Sequence, residues 1–181
     1  MLIKHLPKSC YTDRDMKSVD GIVTHFISAK NILPDDPFNL DAIIQIFKDD
    51  KLSAHYLIDR DGTRIELVPP PKIAWHAGRS RMNGRDRCNN FCLGYELVGG
   101  TNSPYTADQI AAIKFYYAQD MQEYGIGLDW IQGHDDVRKA WNREHPEKKD
   151  TKKHDPGPHF PWKDVLDSLR FVDNGHYKGG F

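Results

Sequence analysis

The run TADQIAAIKFYYAQDMQEYG, residues 106–125, constrains the fold most. Thr106 with Gln109 three positions later is a capping box. Ile110, Ile113, Tyr117, Met121 and Tyr124 recur at helical spacing, and Gly125 supplies the stop. The runs around this helix alternate with period two instead. VDGIVTHFISA (19–29) sets Val23, His25 and Ile27 against Ile22, Thr24 and Phe26, and CLGYELVGG (92–100) sets Cys92, Gly94, Glu96 and Val98 against Leu93, Tyr95 and Leu97. AHYLIDRDGTRIELVP (54–69) reads as a hairpin across Asp61-Gly62. Asn39 caps a short helix carrying Leu40, Ile43, Ile44 and Phe47, and WKDVLDSLRFV (162–172) reads as a final one. Strands interspersed with helices predict an α/β domain, a central mixed and mostly antiparallel sheet flanked by helices.

Between these elements, 69–90 is rich in Pro, Gly, Arg and Asn without a period and reads as a long loop. WIQGHDDV reads as a short strand or turn, and 138–150 as a polar insertion. At 181 residues and 39% hydrophobic content the chain is expected to form one domain, with its core over about 19–172. Twenty-five basic against 26 acidic side chains give a net charge of -1, which offers no overall electrostatic case for nucleic acid or an anionic membrane. No run approaches the about 20 apolar residues of a spanning helix, and the N-terminal stretch lacks the apolar core of a signal peptide. The expectation is a cytoplasmic chain, with a monomer favoured. Cys10, Cys88 and Cys92 are an odd count, read as thiols rather than a disulfide framework.

Two strand positions carry chemistry where core residues would be ordinary: His25 and Glu96. TKKHDPGPHFPW (151–162) adds Asp155 before a Pro-Gly-Pro turn, where Pro156 disfavours helical backbone at the preceding residue. Catalytic zinc commonly takes three protein ligands and keeps one position open. The donors by type are His25, His55, His76, His134, His154, His159, Asp135, Asp136 and Asp155, and type alone does not choose among them. No HExxH pair or second cysteine pair narrows the set.

VDGIVTHFISA, SAHYLIDRDGTRIELVPPPKIAWHAG, GRDRCNNFCLGYELVGG, GHDDV and KKHDPGPHFPW together resemble, in order and style, the zinc-dependent N-acetylmuramoyl-L-alanine amidases of the type-2 family, over roughly 19–165. Within that family the resemblance is to the branch of anhydromuropeptide-recycling amidases and related phage enzymes, and it extends to the fold shared with peptidoglycan-recognition proteins. The resemblance implies one Zn2+ held by His25, His134 and Asp155. It makes Glu96 the acid that takes and returns the proton of the attacking water, and Lys153 the donor to the oxyanion. Trp75, His76, Arg87 and Asn89 match the family's substrate groove, where an arginine can pair with a stem-peptide carboxylate. His55 is read as a strand histidine with a structural hydrogen bond.

Peptidoglycan or a muropeptide is the implied substrate, with no separate wall-binding domain. The chain departs from the family pattern in three places. About eight residues commonly separate the second histidine from the lysine, where this chain has a long insertion. His154 stands where a threonine is common, and Ala54 where phage enzymes often carry tyrosine. The charged insertion and the tail DNGHYKGGF favour a phage-type endolysin, with a cytosolic recycling amidase as the alternative. A peptidoglycan binder without activity is a further rival, which survival of all three implied ligands disfavours.

Overall fold

The computed structural model describes residues 2–14, 19–148 and 154–173. In chain order the elements are β1 (Leu2–Ile3), β2 (Tyr11–Asp13), β3 (Gly21–Ile27), α1 (Leu40–Asp49), β4 (Tyr56–Ile58), β5 (Arg64–Glu66), β6 (Lys72–Ala74), β7 (Arg81–Met82), β8 (Arg85–Asp86), β9 (Cys92–Val98), α2 (Ala107–Tyr124), β10 (Ile131–Gly133), α3 (His134–Glu144) and α4 (Trp162–Asp173). Six strands form one sheet in the order β1-β5-β4-β9-β3-β10. The sheet is mixed as expected, but its parallel share is larger than the alternation suggested. Only the β4–β5 hairpin is antiparallel, while β1–β5, β4–β9, β9–β3 and β3–β10 run parallel. Alternation along a strand reports which face each residue takes and says nothing of its neighbour's direction.

The local signals act where they stand in the sequence. Thr106 accepts from Gln109 N while the Gln109 side chain accepts from Thr106 N, and Gly125 ends α2 at φ 71. The Asn39 side chain caps α1 through Ala42 N, and α1 buries Ile43, Ile44 and Phe47. Gly62, at φ 81, turns the β4–β5 hairpin. The periodless stretch 69–90 holds three two- or three-residue strands, β6, β7 and β8, too short for a period to register. The stretch expected to be a polar insertion is partly helical: α3 begins at His134 and buries Val137, Arg138 and Trp141.

Each face of the sheet has its own cover. Ile22, Leu93, Tyr95 and Leu97 pack with Ile113 and Tyr117 of α2 and with Val165 and Leu169 of α4. On the opposite face Leu57, Ile65 and Val98 pack with Ile43 and Phe47 of α1. Cys10, Cys88 and Cys92 are buried free thiols. No helix among the described residues is long and apolar enough to cross a membrane.

Candidate metal centre

The site starts from the pairing of β3 with β9. Their register sets His25 beside Glu96, on the face away from α2, so an imidazole and a carboxylate stand on neighbouring strands. Strand β10 lies on the other side of β3 and ends at Gly133, where the chain turns into α3 and delivers His134 at the helix start. Gly133 has to be small there, since a Cβ on it would lie 2.7 Å from Pro156 Cδ. That contact, with a hydrogen bond from Asp135 N to the Asp155 carbonyl (2.9 Å), seats the proline loop over the end of β10. Tyr105 Oη donates to the Pro156 carbonyl at 2.6 Å and ties the loop from the other side.

Three donor atoms converge as a result. His25 Nδ1 lies 3.0 Å from His134 Nδ1 and 2.9 Å from Asp155 Oδ2, and His134 Nδ1 lies 3.1 Å from the same oxygen. The residues are 1%, 4% and 6% exposed. Burial works to raise the Asp155 pKa, but hydrogen bonds from His134 and His25 and their charges outweigh it and hold the carboxyl well below the usual range. Two ring nitrogens and one carboxylate oxygen face one another within 3.1 Å, where protons can join them only pairwise. A single cation would satisfy all three lone-pair sets at once, and two imidazoles with one carboxylate are a ligand set that zinc takes. The residues present therefore fit zinc. Among the described residues this trio is the group of His, Cys, Asp or Glu side chains that could hold a metal. His154, the alternative donor beside Asp155, is exposed and outside the trio.

The trio opens into a cleft of about 610 Å³ that Glu96, Trp75, His76 and Asn89 also line. Leu52 and Ile46 give it an apolar side, and Arg79 is its one Arg or Lys among the described residues. The sequence reading missed Arg79. Its guanidinium sits 5.5 Å from the Trp141 ring and donates to the Lys148 carbonyl.

The four residues assigned to the groove fare differently. Trp75 lines the cleft with its backbone fixed by Ser53, whose Oγ accepts from Trp75 N at 2.7 Å. Asn89 lines it too, but its Oδ1 is occupied by His76 N (3.2 Å) and Ala77 N (2.8 Å). His76 turns its Nδ1 to His25 Nε2, 3.0 Å away. Burial first, then His25, His55 and His134, hold His76 well below the ordinary imidazole range. Arg87 stands apart from the other three. It is exposed, has φ 65 at the entrance to a short turn, and is not among the residues that line the cleft. Lys153 lies outside the described residues.

His55 behaves as expected of a structural histidine. Its Nδ1 accepts from Gly94 N at 2.9 Å, its Nε2 lies 3.1 Å from the Lys72 carbonyl, and burial pushes its pKa down to about 3.

The 1,6-anhydro-N-acetylmuramyl-L-alanine amidase AmpD of Enterobacter cloacae is 41% identical over 111 residues, 61% of this chain and 54% of that protein. The chain thus spans about half the length of the relatives it matches. A crystal structure of an AmpD derivative superposes with a TM-score of 0.72 at 30% identity, covering 94% of this chain and 93% of the other. The endolysin amidase LysCS of Clostridium intestinale superposes at 0.62 with 19% identity over 93% and 95% of the two chains, a likeness of fold alone. Residues 15–158, which hold the three donors, Glu96 and the whole cleft wall from Trp75 to Asn89, match the family of N-acetylmuramoyl-L-alanine amidases, type 2, and to that family the chain belongs.

Proposed function

We propose that the chain is a zinc hydrolase that cuts the amide between the lactyl group of N-acetylmuramic acid and L-alanine, and that its substrate is a soluble anhydromuropeptide. The observation that carries the reading is the convergence of His25, His134 and Asp155 on one point inside a cleft, with Glu96 on the adjoining strand. A divalent ion at a three-ligand site acts as a Lewis acid and lowers the pKa of water to about 7.

The chain's own residues do the rest. Glu96 takes the proton of the attacking water and returns it to the leaving nitrogen, a task that its 9% exposure and its place beside His25 allow. Trp75 with the apolar side of the cleft holds the substrate and excludes water. Lys153, two residues before Asp155, is assigned the oxyanion on resemblance to the family. Arg79, which lines the cleft, is a second cation besides Arg87 that can pair with a stem-peptide carboxylate.

Two findings support the anhydromuropeptide over the wall-lysis reading that the insertion and tail suggested. The endolysin likeness extends only to the fold, whereas AmpD shares 41% of residues over the aligned region. In addition, 11 of the residues from His134 onward are helix α3, built into the core through Val137 and Trp141 rather than displayed as a charged arm.

The test supplies the purified chain with soluble anhydromuropeptides and, separately, with intact cross-linked sacculi. Release of free peptide from the soluble substrate, lost on chelation and regained with Zn2+, is the expected result. Full activity after metal removal would end the zinc reading, and faster digestion of sacculi would restore the lytic one.

A further inference from the structure

His25 offers one ring nitrogen to the metal position, and its other nitrogen is also engaged. Nε2 lies 3.0 Å from His76 Nδ1, with the two rings edge to face at 5.1 Å and 83°. If His25 Nδ1 gives its lone pair to an ion, its proton resides on Nε2, and His76 Nδ1 is the acceptor in line with it. The surroundings hold His76 in that pose from three directions. Its backbone N donates to Asn89 Oδ1, the His55 ring stands 5.9 Å away at 71°, and its own ring fills a notch in β9 made by Gly94. A Cβ on Gly94 would lie 2.5 Å from His76 Cγ and 2.9 Å from Nδ1, so any larger residue in that strand position would expel the ring. A glycine inside a strand forgoes packing and propensity, and close approach by another group is the usual reason for it.

We propose that His76 is a positioning residue for the metal: by accepting from His25 Nε2 it fixes the tautomer and ring angle that turn His25 Nδ1 into the site, and Gly94 exists to admit it. The inference rests on the zinc reading above and reassigns His76, which the family groove would make a substrate contact. A substrate contact changes KM and leaves the empty enzyme's metal affinity alone. A partner of a metal ligand changes metal affinity with no substrate present, commonly by about 10- to 100-fold.

The experiment measures Zn2+ affinity of the purified chain by competition with a chromophoric chelator, alongside thermal unfolding of each metal-free form. H76A and G94A should each bind Zn2+ about 10- to 100-fold more weakly. H76N should stay near wild type, because the asparagine Oδ1 can stand where Nδ1 stood. The H76A/G94A double variant should bind no more weakly than H76A, since the notch is then empty and the two changes remove the same contact. If H76A binds Zn2+ like wild type, or if the two losses add, the proposal fails. Should H76A not fold, G94A and H76N still decide between the outcomes. Absence of Zn2+ binding in the wild-type chain would instead remove the metal site itself, and this inference with it.

Discussion

Each face of the sheet buries an aspartate, and the two differ in what they meet. Asp155 faces the side chains of His25 and His134, and its pKa is held well below the usual range against the effect of burial. Asp120 of α2 lies behind the sheet, where Tyr95 Oη donates to it at 2.5 Å and the Arg64 guanidinium stands off at 3.7 Å. There burial prevails over Tyr95 and Arg64, and the pKa is pushed up to about 6. Successive residues of the same two strands build both surroundings: Thr24 and Tyr95 point to α2, while His25 and Glu96 point to the cleft. Burial alone does not set a carboxylate's charge. Two imidazoles at hydrogen-bond distance fix the anion and ready it for a cation, whereas a phenol and a more distant arginine leave it easily protonated.

Replacing the cleft-side acid should have the largest effect. E96Q is expected to lower kcat by about 100- to 10,000-fold in steady-state muropeptide hydrolysis. Its Zn2+ affinity should match wild type, and a parallel loss of metal would show that Glu96 serves the site rather than the proton.

The helix-side acid should leave activity alone and change stability with pH. A carboxyl whose folded pKa is raised contributes stability that is fully present below its unfolded value of 3.8 and lost as pH rises through about 6. Denaturation of wild type against D120N from about pH 4 to about pH 6 should reveal a difference in pH dependence of roughly 2 kcal/mol, wild type gaining as pH falls. An identical profile in the two proteins would mean that Asp120 titrates alike in the folded and unfolded chain.

The smallest effect is expected at the cap of α2. T106A loses the bond to Gln109 N and another to the Arg60 carbonyl, and should cost about 1–2 kcal/mol in chemical denaturation. Zn2+ affinity that fell with it would show that the two faces are coupled through the sheet.

The same division runs through what could be read in advance. Caps, turns and face alternation are local: Asn39, Thr106, Gly125 and the Asp61-Gly62 turn act through neighbours a few residues away, and all do so in the fold. Helix α3 was not legible, because its interior alternates charge with single buried residues such as Val137 and Trp141, a pattern also expected of a solvated insertion. The donor trio was legible only through resemblance. Spacing along the chain offered nine equivalent donors, and nothing local singles out His25, His134 and Asp155. Arg79 gave no signal, because which loop arginine lines a cleft depends on the path of the backbone between short strands. Gly94 did carry a signal, a glycine inside an alternating strand, but not the identity of its visitor.

The sequence by itself determined the elements, the faces they bury and, through its likeness to a family, the class of chemistry. Only the tertiary structure decided which donors meet, which arginine reaches the cleft and which histidine stands behind the metal ligand. Those outcomes depend on strand order and register, where parallel strands bring together residues as far apart as His25, Glu96 and Gly133, and no short-range preference encodes that pairing.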